Sequence, residues 1–265
     1  MSWQSLKTLW QHRFVRDVAT LQAGTIFSAL LGVVSSAVFA RVLGPQTFGE
    51  YAVLTAFVAL VSIPFDLGVG YATITLLANA YGRRDRSAIV EIVAFFVKAW
   101  WFICLAIGVP VMVGSVGLAQ ALYGSSRMGL LAVPLLAGQL IASLFFLTTI
   151  VLQVQRRMTA LTVLENSNKV LLTLLPIGLV IVGQGLAGVV AGQFVAMMAM
   201  LIISVWLYRR LQRTDTLLPN FAEVWRAQAQ VRLRSHLRFS IKISLDKTIS
   251  NLFYILPVML LGSLA

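Results

Sequence analysis

Charge and sulfur are both scarce in this sequence. Its 265 residues include one cysteine, two histidines and nine acidic residues, and charged residues make up 11% of the chain, against about 25% in an ordinary soluble domain. So thin a polar surface excludes a water-soluble globule. A lone cysteine excludes an intramolecular disulfide framework, and the place of Cys104 in the apolar run 100–113 reads as a small buried hydrophobe. His12 and His236 stand in basic segments without acidic or sulfur neighbours at ligand spacing. No metal site, cofactor or nucleophilic constellation is therefore expected, and the chain does not read as an enzyme. No G-x-x-x-x-G-K-[ST] loop occurs, so ATP is not expected as a direct energy source. The segment Gly183-Gln184-Gly185-Leu186-Ala187-Gly188 has dinucleotide-binding spacing, but it joins two apolar runs and follows no strand.

Apolar length is abundant. Hydrophobic residues make up 59% of the chain, and at about 20 residues per membrane-crossing helix the runs at about 18–42, 48–80, 88–114, 129–154, 159–183, 186–208 and 240–264 read as seven spans. Leu43-Gly44-Pro45, Tyr81-Gly82-Arg83-Arg84 and the 183–188 segment break helices without strand periodicity. The expected class is an all-α polytopic membrane bundle.

The net charge of +12 sorts by side. Fifteen basic residues fall in the N-terminal segment and alternate connections: Lys7, Arg13 and Arg16; Arg83, Arg84 and Arg86; Arg156 and Arg157; and Arg209, Arg210, Arg213, Arg226, Arg232, Arg234 and Arg238. The opposite connections hold Arg41 and Arg127. The positive-inside rule then places the N-terminus in the cytoplasm, and the charge reads as a topology signal, with no nucleic-acid partner. Trp3, Leu6, Trp10 and Phe14 repeat at helical spacing among basic residues, which predicts an interfacial helix over 1–17. Residues 18–208 form the expected six-helix lobe and 209–239 a basic linker. Within that linker 221–238 is expected to lie as an amphipathic helix on the inner leaflet, and 240–265 form the seventh helix.

Eight charged residues fall inside the runs: Lys98, Lys169, Lys242 and Lys247 with Asp66, Glu91, Glu165 and Asp246. Each costs about 2.5–3.5 kcal/mol if it faces lipid at mid-depth, so they must meet one another or a wet interior. Glu165 with Lys169 and Lys242 with Asp246 share a helix face at i,i+4, whereas Lys98 and Lys247 lack a local acid. Gln139, Asn166, Asn168 and Asn251 add polar groups within the runs. The 48–80 run is too long for one plain span at 1.5 Å per residue. Pro64-Phe65-Asp66-Leu67-Gly68-Val69-Gly70 near its middle predicts a kink or unwound step, of the kind that lines substrate sites in transporters.

The stretch Ala40-Arg41-Val42-Leu43-Gly44-Pro45-Gln46-Thr47-Phe48-Gly49-Glu50-Tyr51, with Phe65-Asp66-Leu67-Gly68-Val69-Gly70 after it, resembles the polysaccharide-transport family. These are the Wzx-type O-antigen and exopolysaccharide flippases, in the superfamily that also holds multidrug extruders. Arg41, Gly44, Pro45, Gly49 and Tyr51 carry the motif. The resemblance implies a secondary-type transporter of the bacterial inner membrane that moves undecaprenyl-diphosphate-linked oligosaccharide to the outer leaflet. A polysaccharide polymerase and a chain-length regulator are implied as partners besides lipid. It also implies a cationic cavity, for which Lys98, Lys169, Lys242, Lys247, Asn166 and Asn251 are the candidates. Asp66, Pro64, Gly68, Gly70, Glu165 and Asp246 are the candidates for coupling or for the kink. Family members carry twelve or fourteen spans in two lobes, so the chain is expected to hold the first lobe and, from the likeness of 260–265 to 41–47, the first helix of a second. Two other readings stay open: a multidrug or small-solute antiporter, which would favour a dominant acidic pair over lysines, and a non-transporting scaffold of a polysaccharide synthesis complex.

Overall fold

A computed structural model describes residues 13–65, 67–229, 231 and 240, with side chains from Ala19 onward. The described residues fold into helices α1 (Arg13–Val61), α2 (Val69–Gly82), α3 (Arg86–Ile103), α4 (Val109–Tyr123), α5 (Ser126–Val154), α6 (Met158–Leu179), α7 (Gly185–Thr214) and α8 (Phe221–Ala227). A 3-10 turn spans Ile63–Phe65, and wider π-type turns at Cys104–Gly108 and Val180–Gln184 follow α3 and α6. The chain is an all-α membrane bundle: Ala19–Val61, Arg86–Tyr123, Ser126–Val154 and Met158–Thr214 are each long and apolar enough to cross a bilayer. The first six predicted runs fall on helix, the second of them interrupted at 62–68. The seventh run beyond Ser240, the N-terminal aromatic stretch 1–12 and the segment 260–265 lie outside the described residues.

Two of these stretches fold back on themselves. On an uninterrupted helix Phe39 and Tyr51 would be about 18 Å apart, yet their rings meet edge-on with centroids 5.6 Å apart. The corner is Gly44, at φ 76° and ψ 167°, followed by Pro45, which has no N–H to continue the ladder. Gly183 and Gly185 make the second corner at φ 91° and 54°. Beyond it a Cβ on Gly192 would stand 2.5 Å from the Cα of Pro176, so α6 and α7 pack backbone to backbone.

The core is centred on α3, whose Ile89, Ile92–Phe96, Ala99 and Ile103 meet Leu77 of α2, Leu147–Leu152 of α5, Leu164 of α6 and Met200 of α7. A second cluster joins Leu54, Phe57 and Val58 of α1 to Ala119, Leu135, Leu136 and Val190. Helix continues beyond the predicted 88–114 run as far as Tyr123. Ser115 returns its hydroxyl to the Met112 carbonyl at 2.7 Å, and Gly129 of α5 seats directly on the Val116 backbone, so polar and glycine positions that read as loop are absorbed into a helix pair.

Candidate functional site

The predicted interruption near 64 is a break in helix. After Val61 the chain makes the 3-10 turn, with Phe65 N–H donating to Ser62 O at 2.9 Å, and α2 restarts behind Gly68 at φ 69°. Pro64 is exposed on this turn, and Gly70 lies so close to the Phe146 ring that a side chain there would overlap it. Asp66 lies outside the described residues. In the family-motif stretch Arg41 is exposed, Gly44 and Pro45 form the corner, and Gly49 faces open space. Tyr51 is pinned to α7, its hydroxyl accepting from Gln193 Nε2 at 2.8 Å. The motif therefore shapes the turn and its packing.

The polar stretch of α6 lies against the first arm of α1. Gly24 lets the two backbones approach: a Cβ there would be 2.5 Å from Thr162 Cγ2 and 3.1 Å from Asn166 Nδ2. One turn on, Ser28 Oγ donates to Asn166 Oδ1 at 3.0 Å. Beside this contact Glu165 and Lys169 are exposed, Asn168 is half-buried, and no ion pair within 4.0 Å joins Glu165 to Lys169. The expected i,i+4 proximity exists without closure, which leaves both side chains open to a third group. Counted from Met158 at 1.5 Å per residue, they stand about 10–17 Å into a helix of about 33 Å, near mid-depth. Gln139 is likewise exposed on α5.

Lys98 sits elsewhere and has partners that the sequence did not suggest. It is half-buried on α3, and its ammonium donates to the main-chain carbonyls of Gln228 and Val231, both at 2.8 Å. Those carbonyls follow α8, so the lysine holds the linker where it leaves its helix. The described part of the linker is docked at several points. Arg86 Nη2 reaches both Glu223 oxygens at 3.0 and 2.8 Å, and its Nε donates to the Thr216 carbonyl at 3.1 Å. Asp215 Oδ2 accepts from Gln155 Nε2 at 2.7 Å and from the Tyr81 hydroxyl at 3.2 Å. Leu218, Val224 and Val231 are buried in the main core. Val224 faces inward while Phe221 and Trp225 stay exposed, so the three do not share the single membrane-facing side expected of a longer amphipathic helix. The described helix is seven residues long, and residues 232–239 lie outside the description. Asp215, Tyr81 and Gln155 gave no sequence signal, being 60 to 134 positions apart.

Lys242, Asp246, Lys247 and Asn251 also lie outside the described residues. Glu91 is exposed on α3.

Residues 14–265 match the family described as polysaccharide biosynthesis protein. The chain belongs to that family. No curated protein sequence gives a significant match. Among solved structures, the chain is similar to an outward-facing multidrug resistance MATE transporter of the MOP superfamily (TM-score 0.66, 18% identity, 90% of this chain and 52% of that one). It is similar to an inward-facing structure of such a transporter at TM-score 0.64, with 19% identity over 88% of this chain and 52% of that one. A MOP superfamily transporter from Pyrococcus furiosus, whose binding pocket is described as reversed in polarity, matches at TM-score 0.65 and 16% identity, covering 89% and 52%. These likenesses establish the fold. The chain spans about half the length of the solved chains it matches. It is a multi-pass membrane protein, and the polysaccharide family accords with a bacterial inner membrane.

Proposed function

We propose that this chain forms one lobe of a flippase that carries lipid-linked oligosaccharide diphosphate from the cytoplasmic to the outer leaflet. In this reading residues 18–208 are the lobe, 209–239 the linker on the cytoplasmic side, and 240–265 the first helix of a facing lobe. The observation that carries it is the open Glu165 to Lys169 face at mid-depth of a membrane helix. Charges there cost about 2.5–3.5 kcal/mol each against lipid, so they call for a wet interior, and a facing lobe of comparable size would enclose one. An exposed ammonium at that depth is a counter-ion for a diphosphate, with Lys242 and Lys247 as candidates from the seventh helix and Asn166 and Asn251 as hydrogen-bonding neighbours. Glu165, Asp66 and Asp246 are the acids through which an ion gradient would couple, and the Pro64 to Gly70 break is the place where a helix can bend. A polymerase and a chain-length regulator acting on the delivered polymer are the corresponding partners.

The test is surface polysaccharide in a strain that lacks the gene and is complemented with Lys169→Gln, Lys247→Gln, the double variant or Lys169→Arg. Loss of surface polymer in the double variant at unchanged protein level, with retention in Lys169→Arg, is the expected result. Full surface polymer in the double variant overturns the cationic-cavity reading. Lys98→Met is expected to act differently, by loosening the linker and lowering the amount of folded protein.

A further inference from the structure

We infer that the outer surface of the α7 end and α8 is a docking surface for anionic phospholipid headgroups of the adjoining leaflet. Depth is the first argument. From Gly185 to Trp206 α7 rises about 32 Å, which uses up a hydrocarbon core of about 30 Å. Trp206 therefore stands at the membrane boundary, and Arg209, Arg210 and Arg213 lie in the headgroup layer beyond it. The exposed side chains suit that depth. Trp206 is 59% exposed and Trp225 64%, and tryptophan rings favour the interfacial zone. Phe221 and Trp225, four residues apart, share the outer side of α8, while Val224 anchors it inward.

Charge is the second argument. Three described acids at this end are already engaged: Asp85 accepts from the N–H groups of Ser87 and Ala88, Asp215 from Tyr81 and Gln155, and Glu223 from Arg86. Among the described residues no carboxylate comes within 4.0 Å of Arg209, Arg210, Arg213 or Arg226. Two of these guanidiniums are instead placed by rings, Arg209 at 5.7 Å from the centroid of Phe221 and Arg210 at 5.5 Å from that of Trp206. The ring contacts restrain each guanidinium and leave its N–H groups for an external acceptor. Guanidiniums without a closed ion pair, interleaved with exposed indoles at headgroup depth, fit the phosphodiester of an anionic lipid. The inference is independent of what the transporter carries.

The chain would be placed in nanodiscs of phosphatidylcholine with and without phosphatidylglycerol, and quenching of Trp225 by brominated forms of each lipid would be read as the difference between wild type and Trp225→Phe. The surface predicts stronger quenching by brominated phosphatidylglycerol than by brominated phosphatidylcholine. That preference should fall about five-fold for each of Arg209, Arg210, Arg213 and Arg226 changed to Gln, and should survive change to Lys. If the glutamine variants fail to fold, the wild type decides alone, because raising salt toward 1 M shortens the screening length to about 3 Å and should abolish the preference. Equal quenching by the two lipids, or a preference untouched by both salt and the glutamine substitutions, overturns the inference.

Discussion

The two ends of the bundle turn their chains at residues of positive φ but of opposite types. At one end the turning residues are Gly44, Gly124, Gly183 and Gly185, with φ between 54° and 91°. At the other they are Arg84 and Arg156, at φ 53° and 55°. The arginine turns are closed by matching hydrogen bonds, Asp85 N–H to Ala80 O at 3.0 Å and Arg157 N–H to Leu152 O at 2.9 Å. Glycine enters the left-handed region without penalty, whereas a side chain there costs roughly 1–2 kcal/mol. Arg84 and Arg156 thus carry charge at positions where the backbone preference favours glycine. The difference extends into the connections. The glycine corners have nothing within 4 Å of where a side chain would start, while the arginine end is laced by Asp215, Glu223 and Lys98 to the linker. One end is shaped by backbone freedom and the other by charge.

Swapping residue types across the ends gives the largest effect. Gly124→Arg meets no steric obstacle, so its whole cost is conformational and should lower folding stability by about 1–2 kcal/mol, read as a fall in the unfolding midpoint in detergent. Gly117→Ala is the control. It lies in α4 with equally open surroundings but helical backbone, and should raise stability by about 0.5–1 kcal/mol. A loss in both would mean that space, not φ, governs the glycine end. The reverse swap is smaller. Arg84→Gly or Arg156→Gly relieves the strained φ and should gain up to about 1 kcal/mol, while the share of chains inserted with the N-terminus on the arginine side falls, as measured by labelling of engineered cysteines from either face. A stability loss on Arg84→Gly would show that the guanidinium is held by contacts stronger than the strain.

The positions of the helices were readable because lipid leaves the sequence little choice: a run that must bury every backbone group is apolar throughout. The breaks at Gly44, Pro64 to Gly70 and Gly183 were readable for a related reason, since proline and glycine are the residues that most readily interrupt a helix. Which face of a run meets protein was not. The first arm of α1 exposes Ile26, Leu30 and Val33, and α3 buries residues of the same kinds, because hydropathy values a leucine equally against lipid or against a neighbouring helix. The contact of α1 with α6 rests instead on Gly24, Ser28 and Asn166, small or polar positions that a hydropathy pattern does not mark. Lys98 stood out as a cation without an acid, but its acceptors are main-chain carbonyls, which every residue possesses and no side-chain pattern marks. The open pair Glu165 and Lys169 was legible in spacing, and the absence of a closed ion pair was not, since i,i+4 placement permits contact without compelling it.

The smallest expected effect separates charge from packing at the arginine end. The hydrogen bond from Arg86, then the N–H of Asn220, hold the Glu223 carboxyl below the usual carboxylate range. A depressed pKa means that the folded state binds its proton less readily than the unfolded chain does. The Arg86 to Glu223 contact therefore stabilises the docked linker above the ordinary glutamate pKa of about 4.3, and that contribution is lost as pH falls through the lowered value. The pair is largely solvated, so its weight is that of a surface ion pair, under about 1 kcal/mol. Acidification should therefore loosen α8 without unfolding the bundle, seen as a change in Trp225 emission below the ordinary glutamate range while helix content holds. Glu223→Gln should flatten that transition and leave the Lys98 contacts to keep the linker in place. If the transition persists in Glu223→Gln, another group governs it. Asp85, also held below the usual range by its bonds to Ser87 and Ala88 at the start of α3, is the acid to change next. Loss of the transition in Asp85→Asn would then assign the acid response to the capping of a helix, and the comparison between the ends would rest on turn chemistry alone.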